Sequence, residues 1–169
     1  METYISMLRG INVSGKNIIK MENLKEMYAS LGFKNIQTYV QSGNVIFTSE
    51  NQKSKELEQA ITQQIKENFD LDVPVIVFPM EKLEQIINDN PLVNDKNDNA
   101  FLHVTFLFST PQTIDVNIFT EKKLNGEEIY FSQNVVYLYC PNGYGKTKQL
   151  FFGKKIKRGR NNKKLEIDK

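Results

Sequence analysis

Hydrophobic and polar positions alternate at the start of the chain and then change to a helical period. The segment from Thr3 to Arg9 alternates as a buried strand does. After a glycine-containing loop, apolar residues recur on one helical face, and Gly32 ends that predicted helix. The apolar positions of this helix are Met21, Leu24, Tyr28 and Leu31. The chain therefore opens with a strand, a loop and a helix.

Two β-rich segments and a second helix follow. Ile36 to Val40 and Asn44 to Thr48 are separated by a short connection that ends in Gly43, which is typical of a hairpin. Apolar residues then recur every four positions through a helix, at Leu57, Ile61, Ile65 and Phe69. A strand from Val73 to Phe78 is closed by Pro79. The order βαββαβ is that of the ferredoxin-like plait.

The second half of the chain repeats this pattern more weakly. After a linking helix and a polar loop, Phe101 to Phe108 reads as a strand, a helix passes through Ile114 and Ile118, and Glu128 to Cys140 contains a hairpin. We therefore predict an α+β fold of two related ferredoxin-like plait subdomains, with helices on one face of each antiparallel sheet. The predicted boundaries are 1–79, 80–150 and a basic C-terminal tail at 151–169.

The amino-acid composition limits the kinds of site that the protein can contain. Cys140 and His103 are the chain's one cysteine and one histidine, too few for a disulfide framework or a zinc site, so we expect no metal and no cofactor. No segment approaches the roughly 18 apolar residues of a membrane span, and the N-terminus enters a strand directly. We expect a soluble, cytoplasmic protein with no membrane partner.

The charge is unevenly distributed. The net charge is +2, but the last sixteen residues hold eight of the 22 Lys and Arg, which leaves an acidic body. A dedicated nucleic-acid domain shows a basic face, so we expect no nucleic-acid partner except through the tail. The tail itself is expected to be solvated and partly frayed.

The loop after the first strand comes within one residue of a nucleotide-binding P-loop. Gly10 is followed by four residues, Gly15 and Lys16, but Asn17 replaces the Ser or Thr that binds magnesium. Ile18 and the next residue delay the helix, and no Walker B aspartate is present, so NTP hydrolysis is rejected. Two readings stay open: an anion-binding nest beside Arg9, or glycines that only turn the chain.

A second glycine loop, Gly143 to Thr147, follows the last predicted strand. It is either a surface turn or the source of a second lysine for a ligand, with Tyr144 as a stacking surface. We expect the site in a crevice between the two subdomains. The predicted ligand-binding residues are Arg9, Gly10, Asn12, Gly15, Lys16, Gln41, Ser42, Asn44, Gly145 and Lys146.

Other sites find little support in the sequence. RNA recognition modules share the element order but stack bases on aromatic residues of the first and third strands. Tyr4 suits the first strand, but Asn44 and Ile46 occupy the corresponding positions of the third. His103 lies within a strand and is read as structural. No catalytic residue is assigned.

The longest motifs resemble those of a widespread bacterial family of uncharacterised proteins, domain of unknown function 1697. They are Leu8 to Asn17, Leu31-Gly32-Phe33, Thr38 to Phe47 and Asn142 to Lys148. The resemblance spans about residues 3–153 and implies a pair of related α+β plaits without an assigned activity. Family members usually end with a Trp-containing segment, whereas this chain has no Trp and ends in the basic tail.

Three functional hypotheses follow. The first is binding of a small anionic ligand, such as a nucleotide, by the first loop and the turn from Gln41 to Asn44. The second is an enzyme of unknown reaction at the same crevice, with Lys16 or Tyr39 transferring a proton. The third is an interaction module that pairs through its sheets, with a homo-oligomer as its simplest form.

Overall fold

The protein consists of two compact units, Met1–Ile86 and Ile87–Lys169. The computed structural model describes residues 1–39, 43–50, 52–107, 123–146 and 164–167. The division between the units falls near the end of the helix Met80–Asn88, whereas the predicted boundary lay at the start of that helix.

The N-terminal unit has the predicted βαββαβ order, followed by a third helix. Its elements are β1 (Glu2–Leu8), α1 (Met21–Ser30), β2 (Lys34–Tyr39), β3 (Asn44–Ser49), α2 (Ser54–Phe69), β4 (Val75–Pro79) and α3 (Met80–Asn88). The sheet order is β2-β3-β1-β4, and every neighbouring pair is antiparallel. This order places β1 in the interior, so the loop that follows it leaves from the middle of the sheet.

Alternation along the strands explains the core of this unit. Tyr4 on β1 and Phe47 on β3 are fully buried and stack with ring centroids 5.7 Å apart. Phe33 stacks on Phe47 at 4.4 Å, and Tyr28 meets the same ring edge-on at 5.5 Å. The α2 residues that recur every four positions join this cluster. Packing thus fixes both helices against one face of the sheet.

The edges of the N-terminal sheet are protected against further pairing. The amide N–H of Val77 on β4 donates to the Glu58 carboxylate, 3.1 Å away on α2. On β2, the register with β3 shifts between Lys34 and Gln37, and Asn35 has a φ of 52°. A capped amide and an irregular strand both discourage edge-to-edge association.

The C-terminal unit contains a second antiparallel sheet. Its strands are β5 (Leu102–Leu107), β6 (Glu128–Ser132), β7 (Val135–Tyr139) and β8 (Lys164–Ile167), in the order β6-β7-β5-β8. A cluster of Leu107, Val136, Leu138 and Cys140 forms the core on one face. The predicted helix through Ile114 and Ile118 lies outside the described residues. The assignment of 164–167 to a solvated tail is corrected, because β8 pairs with β5.

A buried tyrosine makes the stability of the N-terminal unit depend on pH. Tyr28 shares a 2.8 Å hydrogen bond with the Ser6 hydroxyl. Burial raises the pKa of Tyr28 well above its usual range, and the bond to Ser6 lowers it by less. The neutral phenol is therefore favoured in the folded state. Its stabilisation is complete below the unfolded pKa near 10 and is lost as the pH rises above it.

We expect Tyr28→Phe to reduce this alkaline loss. Above pH 10 the free energy of unfolding of the wild type should fall by about 1.4 kcal/mol per pH unit more than that of the variant. Urea denaturation at pH 9, 10 and 11 measures the difference. Burial also raises the pKa values of Tyr4 and Tyr137, so both proteins keep some alkaline slope. Parallel slopes would show that Tyr28 ionises as freely in the folded state as in the unfolded chain.

Candidate functional site

The loop between β1 and α1, residues 9–20, is called the cationic loop below. It begins where three chain segments meet. The Leu8 amide donates to the carbonyl of Gly43, in the turn before β3, at 3.0 Å. The Arg9 amide donates to the carbonyl of Pro74, just before β4, also at 3.0 Å. The base of the loop is therefore fixed to both sides of the sheet end.

The tip of the cationic loop is a tight two-residue turn. Val13 and Lys16 form an antiparallel bridge, and the Lys16 amide donates to the Val13 carbonyl at 3.0 Å. Ser14 and Gly15 between them have φ values of 50° and 72°. Positive φ at both central positions is the signature of a type I′ turn. The second glycine of the P-loop-like motif thus closes a miniature hairpin.

Two asparagines hold this hairpin in place. The side-chain oxygen of Asn12 accepts from the Ile19 amide at 2.8 Å, and its Nδ2 donates to the Ile19 carbonyl at 2.9 Å. The Nδ2 of Asn17 donates to the Gly10 carbonyl at 2.9 Å. Asn12 was predicted to contact a ligand, but these bonds give its amide a structural role. Asn17 likewise faces the main chain, where a P-loop would present a hydroxyl to magnesium.

Gly43 brings the turn before β3 against the cationic loop. A Cβ atom at Gly43 would lie 2.9 Å from the Leu8 carbonyl oxygen and 3.0 Å from the Ile11 side chain. Asn44, one residue on, pairs with both Met7 on β1 and Tyr39 on β2. Predicted site residues from both segments thus lie at one end of the sheet. Gln41 and Ser42 lie outside the described residues.

The cationic loop carries three exposed cations and no acid. Arg9, Lys16 and Lys20 are solvent-exposed, and no Asp or Glu occurs between Glu2 and Glu22. Within the described ranges, neither lysine forms an ion pair. Lys16 and Lys20 therefore present positive charge on a unit whose other charged residues are predominantly acidic.

Backbone donors accompany this charge at the turn. In the described part of the chain, the amides of Ser14 and Gly15 make no hydrogen bond, and both residues are exposed. They adjoin Lys16 in sequence. The tip thus offers two amide donors and an ammonium group to solvent.

The rejection of a P-loop agrees with this geometry. A P-loop leads directly into a helix and lies in a parallel sheet, whereas α1 begins at Met21 and β1 has antiparallel neighbours on both sides. Ile19 is buried between the turn and the helix. The loop therefore has no helix N-terminus at its glycines, unlike a P-loop.

The second glycine loop lies in the C-terminal unit. The Gly143 amide donates to the Cys140 carbonyl at 3.0 Å, and residues 144–146, which include Gly145 and Lys146, are helical. The Tyr144 ring, predicted as a stacking surface, stacks on His103 at 4.3 Å. One face of that ring is thus covered by the protein itself, and His103 has a packing role.

Sequence reasoning overlooked three residues of the cationic loop. Lys20 was not counted among its cations, although the absence of acids from Thr3 to Met21 is visible in the sequence. Val13 and Ile18 are large apolar residues that the structure leaves exposed, and no periodic pattern marked them.

Among the described residues, no group of three or more His, Cys, Asp or Glu side chains is placed to hold a metal ion.

Taken together, the two units define an α+β protein with two four-stranded antiparallel sheets and an exposed cationic loop. The chain belongs to the family described as protein of unknown function (DUF1697), which matches residues 1–137. No curated protein matches it.

A solved structure is similar over nearly the whole chain. It is that of the conserved bacterial protein SP0830 from Streptococcus pneumoniae, 23% identical, with a TM-score of 0.68, and the match covers 98% of this chain and 93% of that one. At this identity the likeness supports the α+β fold alone.

Within the described ranges, no helix is long and apolar enough to cross a membrane.

Proposed function

We propose that the protein binds a small anionic ligand, bearing phosphate or carboxylate groups, at the cationic loop. The observation that carries this proposal is the exposed turn at Ser14 and Gly15, where two amide donors adjoin Lys16. Phosphate and carboxylate oxygens accept hydrogen bonds from such donors, and a nearby cation strengthens each bond.

The rigidity of the loop supports the proposal. Side-chain amides of Asn12 and Asn17 bond to the loop's own main chain, and Ile11 and Ile19 anchor it in the core. A turn that is already ordered loses little conformational entropy when it binds. Among the residues that the structure describes, the two lysines of the loop have no ion pair that a ligand would have to break.

Calorimetric titration with pyrophosphate, ATP and citrate tests the proposal. We expect Lys16→Ala to bind the best of these ligands about 10- to 100-fold more weakly, because one charge-assisted contact contributes about 1.5–3 kcal/mol. Lys34→Ala is the matched control. Lys34 is exposed but begins β2, whereas the candidate site lies at the other end of that strand, near Tyr39. No binding by the wild type, or equal losses in the two variants, would reject the site.

We also infer that each unit is a ferredoxin-like plait and that the second is a copy of the first. The order β6-β7-β5-β8 corresponds position by position to β2-β3-β1-β4, which supports the inference. A copy would include the helix through Ile114 and Ile118 that the sequence analysis predicts. Backbone chemical shifts of the full chain test this prediction, and extended values throughout that segment would contradict the copy.

A further inference from the structure

Binding of a small anion leaves one property of the cationic loop unexplained. Val13 and Ile18 are 58% and 63% exposed, while Ile11 and Ile19 in the same loop are buried. Single exposed apolar residues are common on protein surfaces, but these two lie five positions apart in one short loop, near its lysines in sequence. Val13 is the bridge partner of Lys16, so an aliphatic side chain and an ammonium group project side by side.

We propose that the cationic loop docks on the surface of a lipid bilayer that contains anionic phospholipids. Val13 and Ile18 enter the headgroup region, while Lys16 and Lys20 contact lipid phosphates. The proposal rests on the proposed anion site for its cations and adds the apolar pair as a second contact. Apolar side chains that insert beside basic residues are the usual composition of a surface-binding membrane element.

Charge and residue type favour a bilayer over a protein partner. Lysine is depleted at protein–protein interfaces, and valine is under-represented among the residues that dominate their binding energy. At a membrane surface, by contrast, the lysine stem lies along apolar material while the ammonium group stays at the phosphates. The loop's freedom from acidic residues suits an anionic surface, since none of its side chains is repelled. The expectation of no membrane partner was drawn from the lack of a spanning segment and does not bear on surface contact.

The apolar contact is tested by sedimentation of the full chain with vesicles. One set contains phosphatidylcholine alone, and the other contains equal parts of phosphatidylcholine and phosphatidylglycerol. We expect the wild type to sediment with the anionic vesicles and Val13→Ser/Ile18→Ser to bind them at least tenfold more weakly. Val93→Ser is the matched control, because Val93 is 55% exposed and lies in the C-terminal unit. The altered side chains are all exposed, so thermal unfolding should be unchanged in both variants.

The charge contact is tested with Lys16→Ala/Lys20→Ala against Lys34→Ala. We expect the double variant to lose binding to anionic vesicles, the control to keep it, and added salt to weaken the wild type. Equal binding of the wild type to both vesicle sets, or full binding by the serine variant, would overturn the proposal. Absence of wild-type binding to either vesicle set would also overturn it.

Pyrophosphate titration of the serine variant separates this proposal from the small-ligand site. The turn and its lysines are unchanged there, so pyrophosphate affinity should equal that of the wild type. Vesicle binding without pyrophosphate binding would reject the small-ligand site and keep the docking surface. Pyrophosphate binding without vesicle binding would reject the docking surface and keep the small-ligand site.

Discussion

Gly43→Ala is expected to lower the free energy of unfolding by about 2–5 kcal/mol. Gly43 has a φ of 80°, where an alanine costs about 1–2 kcal/mol. The new methyl group would also lie 2.9 Å from the Leu8 carbonyl oxygen and 3.0 Å from Ile11. Overpacking of this kind costs about 1–3 kcal/mol more, because the backbone oxygen must shift. Urea denaturation measures the loss.

Gly32→Ala isolates the backbone contribution. Gly32 has nearly the same φ, 81°, but no atom of the described residues lies within 4 Å of the position that an alanine methyl group would take there. We therefore expect a loss of about 1–2 kcal/mol. Equal losses at the two glycines would mean that the turn before β3 does not press against the cationic loop. The candidate site would then lack its rigid base.

Asn12→Ala is expected to cost about 2–4 kcal/mol. The substitution removes both side-chain bonds to Ile19 and leaves a buried main-chain amide unpaired, which alone costs about 1–3 kcal/mol. Asn12 also has a φ of 52°, a conformation that Asn tolerates better than Ala. Amide hydrogen exchange at Ile19 should accelerate together with the loss of stability.

Asn17→Ala is the paired control for this effect. Asn17 also has a positive φ, 50°, but its single bond to the Gly10 carbonyl is solvent-exposed, so water can replace it. We expect a smaller loss, about 1 kcal/mol, and unchanged exchange at Ile19. If Asn17→Ala were the more damaging change, the loop would be held from its exposed side and not from its buried one.

The period of apolar residues predicted the elements of the N-terminal unit well, because burial of one face determines both that period and the packing of each element. Apolar residues every four positions mark α2, and Gly32 follows the end of α1 closely. The delay between the glycine loop and α1 was also predicted, and the buried Ile19 explains it. Where one face of an element packs against a core, the residues on that face must be apolar, and their spacing is visible in the sequence.

The details of the site were not predictable in the same way. The motif around Gly15 resembles a phosphate loop in its letters, but a type I′ turn also requires glycine, and spacing alone does not separate them. The roles of Asn12 and Asn17 depend on bonds to main-chain atoms seven residues away, which no local pattern encodes. Likewise, β8 depends on pairing with a strand about sixty residues earlier, so the sequence alone placed it in a basic tail.

The most direct test of the anion site is a pyrophosphate titration of the isotope-labelled chain, followed by amide NMR. We predict saturable shifts at the amides of Ser14, Gly15 and Lys16, with Lys34 unmoved. We also predict that Lys16→Ala weakens the affinity measured at Ser14 and Gly15. Unmoved resonances at the turn, or shifts confined to other parts of the chain, would contradict the claim that this loop binds anions.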